Sequence, residues 1–193
     1  PESRKAIRRL LSAGWIVTNQ HVFTAASSKR GHVAKLRQVL NGIGVLPYYN
    51  FSVKGFMENF HNFATNARAM QEQNEEKAFG SVPEQYYKSI KKLSLDAENM
   101  VANIERIKAK ADLPFLATDR NVLNLPGVGK SLTFRTIGIT RYGRRILEFD
   151  HDGTRNHSPI IDKMGKVVIV ESKPIYNYIQ QMEDMGEERS DYN

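Results

Sequence analysis

Apolar positions recur along this chain with two periods, and the changes between them predict its elements. Ala6, Ile7, Leu10 and Leu11 stand at helical spacing, and Gly14 is placed to stop that helix. Residues 15–22 then read as a short buried strand. Val33, Leu36, Val39 and Leu40 mark a second amphipathic helix, closed near Gly42 and Gly44, and residues 45–51 read as a second strand. A helix between two apolar strands makes a βαβ unit, which requires parallel pairing. In such sheets ligands gather beyond the C-terminal strand ends. Those ends are Asn19-Gln20-His21 and the stretch from Asn50 to Lys54.

Residues 58–110 read as helical, with breaks at 80–83 and at Ser94. Ala97, Met100, Val101, Ile104 and Ile107 form the clearest one-sided stripe. After Pro114 the pattern changes to strands over 115–118 and 132–140. A turn at Arg141-Tyr142-Gly143 leads into strands over 145–149 and 166–171, and Ile175, Tyr178, Ile179 and Met182 predict a closing helix. The expected organisation is α/β: βα units over 1–57, a helical insert over 58–112, and a β-rich section over 113–193 that surrounds Lys130. There is no internal repeat.

At 193 residues and 40% apolar content, the chain is long enough for one substantial core. Its net charge of +7 favours anionic partners in general. The cations are dispersed, however: Arg4, Lys5, Arg8 and Arg9 on one helix, Lys108 and Lys110 on another, Arg141, Arg144 and Arg145 at a turn. Aromatics do not interleave with them as a stacking platform requires, so nucleic acid is not an expected partner. With no cysteine, the chain has neither disulfides nor thiolate metal ligands. No apolar run has the length of a membrane span and no signal peptide is recognisable, so a soluble cytoplasmic protein is expected. Pro1-Glu2-Ser3 opens without an initiator methionine and the chain closes on a polar run, so both ends read as cut from a longer protein.

The stretch Asn124-Leu-Pro-Gly-Val-Gly-Lys130-Ser131 carries the most specific chemistry. A glycine turn ending in lysine can cradle a nucleotide phosphate, present an amine to pyridoxal phosphate as a Schiff base, or simply lead into a strand. A phosphate-binding loop places a glycine five positions before Gly129, where this chain has Asn124, and Gly127 does not restore the spacing. Asp150, His151, Asp152, His157 and Asp162 are the densest group of metal-ligand types. Their spacing matches no zinc or calcium template, and the same residues build ordinary turns, so no metal site is assigned. His21 and His61 read as structural, Tyr48, Tyr49 and Phe51 as strand packing. Lys54 is a cation placed where a βα site would open.

Three motifs occur in order: Asn19-Gln20-His21-Val22, then Val45-Leu-Pro-Tyr48-Tyr49 with His61, then Pro126-Gly127-Val-Gly129-Lys130. Over roughly residues 5 to 140 they resemble the C-terminal part of the lysine/glutamate 2,3-aminomutase family, radical S-adenosylmethionine enzymes that use pyridoxal phosphate. The resemblance implies the C-terminal part of a partial (β/α) barrel, then a helical insert and a β-rich section that binds pyridoxal phosphate. It implies Lys130 as the Schiff-base lysine in a loop shaped by Gly127 and Gly129, and Gln20 on the S-adenosylmethionine side. Lysine-specific members carry aspartates at the positions of Lys54 and Asn124. Here a cation and an amide replace them, the pattern of the glutamate-specific branch, because an ammonium facing a second ammonium is repelled.

The same resemblance places the [4Fe-4S] cysteines and the arginines for cofactor phosphate and α-carboxylate in an N-terminal remainder of the polypeptide. It implies homo-oligomeric assembly and an isolated chain without activity. The glycine loop is one residue shorter than in lysine aminomutases, Asn62-Phe63 replaces Phe-Arg after His61, and the helical sequence over 71–110 has no counterpart. The expected function is conversion of L-glutamate to β-glutamate by radical 1,2-amino migration. The alternatives are an aminomutase of other substrate, a nucleotide-binding module using Gly127, Gly129, Lys130 and Ser131, and a basic nucleic-acid-binding protein.

Overall fold

A computed structural model of the chain describes residues 2–53, 61–118, 121–124, 132–151 and 165–192. The elements run α1 (Glu2–Ser12), β1 (Thr18–Val22), α2 (His32–Asn41), β2 (Leu46–Val53), α3 (Asn66–Gly80), α4 (Tyr87–Leu93), α5 (Met100–Ala111), β3 (Asn121–Asn124), β4 (Leu132–Ile139), β5 (Arg145–His151), β6 (Val167–Val170) and α6 (Ile175–Asp184). They make a mixed α/β structure with one sheet ordered β1-β2-β3 and another ordered β4-β5-β6. By their contacts the residues fall into two compact units, Pro1–Gln20, Val33–Tyr49 and Asn74–Asp119 in the first, and His21–His32, Asn50–Gln73 and Arg120–Asn193 in the second.

In the first unit, α1 and α2 end by the same device. Gly14 and Gly44 both take φ +83°, and the next residue donates back into the helix, Trp15 N–H to Leu10 O at 3.0 Å and Val45 N–H to Leu40 O at 2.9 Å. Glycine reaches this left-handed region without strain and so caps the last turn. Trp15 is therefore part of a helix cap and is 66% exposed, which corrects the expectation of a buried strand from residue 15. The strand begins at Thr18, and of its five residues only His21 is buried, as befits the edge position of β1.

The core of this unit gathers Leu11 of α1, Leu93 of α4, Met100, Ile104 and Ile107 of α5, and Ala97 and Leu116. It is the α5 stripe that the sequence predicts, less Val101, which stays exposed. Two sequence expectations fail here. On α2 the buried positions are Val33, Arg37 and Asn41, while Val39 is exposed, so the helix turns a polar face inward. Residues 115–118 form no strand, although Phe115, Leu116 and Thr118 are buried. Their N–H groups are already engaged: Leu116 donates to Asn41 Oδ1 at 2.7 Å, Ala117 to Gly80 O at 2.7 Å and Thr118 to Glu76 Oε1 at 3.1 Å. Two side chains and one helix-end carbonyl here take the donors that a ladder would use.

In the second unit β2 and β3 run parallel, with Asn50 opposite Asn121 and Val53 opposite Asn124. Strands β4, β5 and β6 form an antiparallel meander with a bulge between Thr136 and Gly138. Its core face, Leu147, Phe149 and Ile169 with Phe134 and Val167, packs on Ala67 and Met70 of α3. The predicted turn joins β4 to β5, with Gly143 at φ +71° and Thr140 N–H donating to Arg144 O at 2.8 Å. Glu171, just past β6, is buried. It accepts from Ala67 N–H at 2.9 Å, filling one of the orphan donors at the start of α3, and from Arg145 Nε at 2.9 Å.

A methyl group added to Gly44 would stand 2.6 Å from Leu11 Cδ1, in a backbone conformation that side chains resist. Gly44→Ala is expected to cost about 1–3 kcal/mol in urea unfolding. Gly14→Ala meets no neighbour within 4 Å and should cost less. Equal losses in the two variants would show that packing at Leu11 is not the cause.

Candidate functional site

In the first unit the start of β1 is held by a buried ion pair. Arg37 Nε donates to Glu76 Oε1 at 2.6 Å, with both side chains 0% exposed, and Arg37 Nη1 donates to Asn19 Oδ1 at 2.8 Å. Thr118 Oγ1 in turn donates to Tyr48 O at 2.7 Å on β2. A charge buried at this depth is tolerated only with a partner, and removing one partner strands the other. The pair therefore fixes the amide of Asn19 and the strand beside it. Gln20, next in the chain, is exposed.

In the second unit the parallel strands β2 and β3 finish side by side. Val53, the residue before Lys54, is the register partner of Asn124, which opens the glycine stretch. Asn50 and Ser52 are buried, and Ser52 Oγ accepts from Asn66 Nδ2 at 2.8 Å at the start of α3. Of the residues assigned from the sequence, Gln20 is described in full and Asn124 by its backbone position alone. Lys54, Gly127, Gly129, Lys130 and Ser131 lie outside the described residues. Directly after Ser131 the strand β4 begins, at Leu132. A nucleotide P-loop runs from a strand into a helix, whose N-terminus helps to hold the phosphates. A strand in that place counts against the P-loop alternative.

Around the turn after β1, the second unit holds a buried polar network. Arg68 pairs with Glu72 and donates through Nε to Ser28 O at 3.1 Å, while Glu72 Oε1 accepts from Gly31 N–H at 2.9 Å. Tyr178 and Ser28 share a hydrogen bond of 2.8 Å, and burial pushes the phenol up to about 12, so it stays neutral. His21 is buried, meets Phe23 edge-on and stacks on His32 at 6.0 Å. Burial, and after it the nearby Lys29, lowers the pKa of His32. His61 is exposed, and its carbonyl accepts from Gln181 Nε2 at 2.6 Å.

Lys173 is a buried cation that sequence reasoning missed. Its Nζ donates to Gln181 Oε1 at 2.5 Å and to Phe63 O at 3.3 Å, and lies 5.9 Å from the centre of the Tyr178 ring. Flanked by Ser172 and Pro174, it has the local sequence of an exposed loop lysine, and only the fold shows it as buried. Among the described residues, no three potential metal ligands converge. Asp150 is exposed on β5 and His151 ends that strand, while Asp152, His157 and Asp162 lie outside the described residues. No helix among the described residues is long and apolar enough to cross a membrane.

No family model and no solved structure matches the chain. Over 76 residues it is 38% identical to an uncharacterized KamA family protein of Methanocaldococcus jannaschii. The match covers 39% of this chain and 12% of that relative, so the chain corresponds to a small part of the relative's length. This similarity supports, at a coarse level, a relation to the lysine 2,3-aminomutase family.

Burial lowers the Lys173 ammonium from 10.5 to about 8. Between those values the unfolded chain holds a proton that the folded chain has released, so stability rises with pH across that window. The parent protein is expected to gain stability relative to Lys173→Met as pH is raised from 8 to 10.5, measured by urea unfolding. A constant difference over that range would mean that the amine does not titrate there.

Proposed function

We propose that this chain is the C-terminal portion of a radical S-adenosylmethionine, pyridoxal phosphate-dependent amino-acid 2,3-aminomutase acting on L-glutamate, with β1, β2 and β3 as strands of its partial barrel. The observation that carries the reading is the register of β2 and β3, which sets Val53 opposite Asn124. The chain leaves β2 through Lys54 and leaves β3 into the glycine stretch that ends at Lys130. Adjacent C-terminal ends of parallel strands are where α/β folds build ligand sites. The ordered motifs and the 38% identity to a KamA family protein support the same reading.

In this reading Lys54 and Asn124 bind the side-chain carboxylate of glutamate, one by charge and one by amide hydrogen bonds. A dicarboxylic substrate suits that pair, whereas a second ammonium beside Lys54 would be repelled by several kcal/mol at low effective dielectric, as an order of magnitude. Lys130 supplies the amine that anchors pyridoxal phosphate, and Gly127 and Gly129 let the backbone approach it closely. Gln20 serves S-adenosylmethionine from the middle of β1, where the Arg37–Glu76 pair fixes the neighbouring Asn19. When bound, the two cofactors supply an electron sink for the amino nitrogen and hydrogen abstraction from carbon, chemistry that protein side chains lack. The iron-sulfur cluster does not fit this chain, which has no cysteine to ligate it.

Two measurements on the full-length protein test the reading. After incubation with pyridoxal phosphate and borohydride reduction, mass spectrometry is expected to find the pyridoxyl adduct on a peptide containing Lys130. Lys130→Ala should abolish it, and an adduct on another lysine would refute the assignment. Lys54→Asp combined with Asn124→Asp is expected to weaken glutamate binding at least about tenfold, the loss of one charge-assisted contact. Unchanged glutamate turnover would remove the charge argument while leaving the cofactor assignment intact.

A further inference from the structure

Within the second unit, the β4–β5 turn and the start of α6 border an open cavity of about 650 Å³, in the volume range of small-molecule sites. Its lining includes Arg141, Tyr142, Arg144, Ser172, Tyr176 and Asn177, and no carboxylate among the described residues. Neither arginine makes an ion pair among the described residues. The Nε of Arg144 is buried and has no hydrogen-bond partner among them. Each guanidinium carries five N–H donors, and with no carboxylate partner among the described residues both retain capacity for a bound anion. Arg141 lies over the Tyr142 ring, 4.6 Å from its centre. Tyr142 and Tyr176 are nevertheless 62% and 61% exposed, so both offer ring surface. The turn is already braced against α6 by Ile175 N–H donating to Gly143 O at 2.9 Å.

We propose that this cavity binds a nucleoside phosphate, with Arg141 and Arg144 on the phosphoryl oxygens and a tyrosine face against the base. Two guanidinium groups with no anionic partner among the described residues suit a multiply charged phosphate better than a single carboxylate, and their planar forks match its oxygens. The volume far exceeds that of one phosphate ion, and exposed tyrosine rings are stacking surfaces for a heterocycle. Ser172 and Asn177 add neutral hydrogen-bonding groups. The cations sit at a single turn and do not follow a groove, which favours a small ligand over a nucleic-acid strand. The proposal is independent of the aminomutase reading, since it uses none of Lys54, Asn124 and Lys130.

Calorimetric titration of the full chain with adenosine diphosphate, inorganic phosphate, adenosine and a short single-stranded oligonucleotide tests it. Adenosine diphosphate is expected to bind more tightly than phosphate or adenosine. Arg144→Gln should weaken it about tenfold or more, as should Arg141→Gln. Tyr176→Leu should weaken the diphosphate while leaving inorganic phosphate unchanged, a result that also shows the variant to be folded. Absence of diphosphate binding, equal affinity for diphosphate and phosphate, or binding unaffected by both arginine variants would overturn the proposal. Saturation by the oligonucleotide at lower concentration than the diphosphate would overturn it in favour of a strand-binding surface.

Discussion

A carboxylate removed from water must be met by a cation or by several N–H donors, and this constraint organises both units of the protein. Glu76 accepts from the Arg37 guanidinium and the Thr118 N–H. Glu72 accepts from Arg68 and the Gly31 N–H, and Glu171 from Arg145 and the Ala67 N–H. Each thus joins one arginine to one main-chain donor. The donors belong to a loop, an irregular segment and a helix start, which are places where the backbone has no ladder to satisfy it. Buried ion pairs add little net stability over apolar packing, but they tolerate few alternative arrangements, and losing one member leaves an uncompensated charge.

That constraint also explains where the sequence was readable. The periods of Ile7 and Leu11, of Met100, Ile104 and Ile107, and of Tyr178, Ile179 and Met182 predicted α1, α5 and α6, because apolar burial writes itself as spacing. The meander of β4, β5 and β6 and the turn at Gly143 were legible for the same reason. Arg37 and Asn41 were not. Polar residues on the inner face of α2 break the rule that the apolar stripe faces inward, and their partners Glu76 and Leu116 are remote in sequence. The apolar segment 115–118 reads as a strand because nothing in its own residues tells that Asn41 and Glu76 claim its N–H groups.

The candidate site was legible in another sense. Lys54, Asn124 and Lys130 came forward through motif order and charge replacement, and periodicity carried no information about them. What the fold adds is the register of Val53 with Asn124, and the strand β4 in the position where a nucleotide loop would need a helix. The cavity at Arg141 and Arg144 illustrates the converse. Those arginines read as a dispersed solvated face because Tyr176, which supplies a second ring, is more than thirty positions away along the chain.

The bond from Ala67 to Glu171 spans 104 positions. During synthesis the first turn of α3 leaves the ribosome long before its capping carboxylate exists, and until then water must satisfy that amide. The helix can form early but cannot be locked early, so the segment that carries Glu171 decides when the second unit becomes rigid. Any nascent chain released before residue 171 would keep that helix start frayed, an opening for proteases and a handle for chaperones.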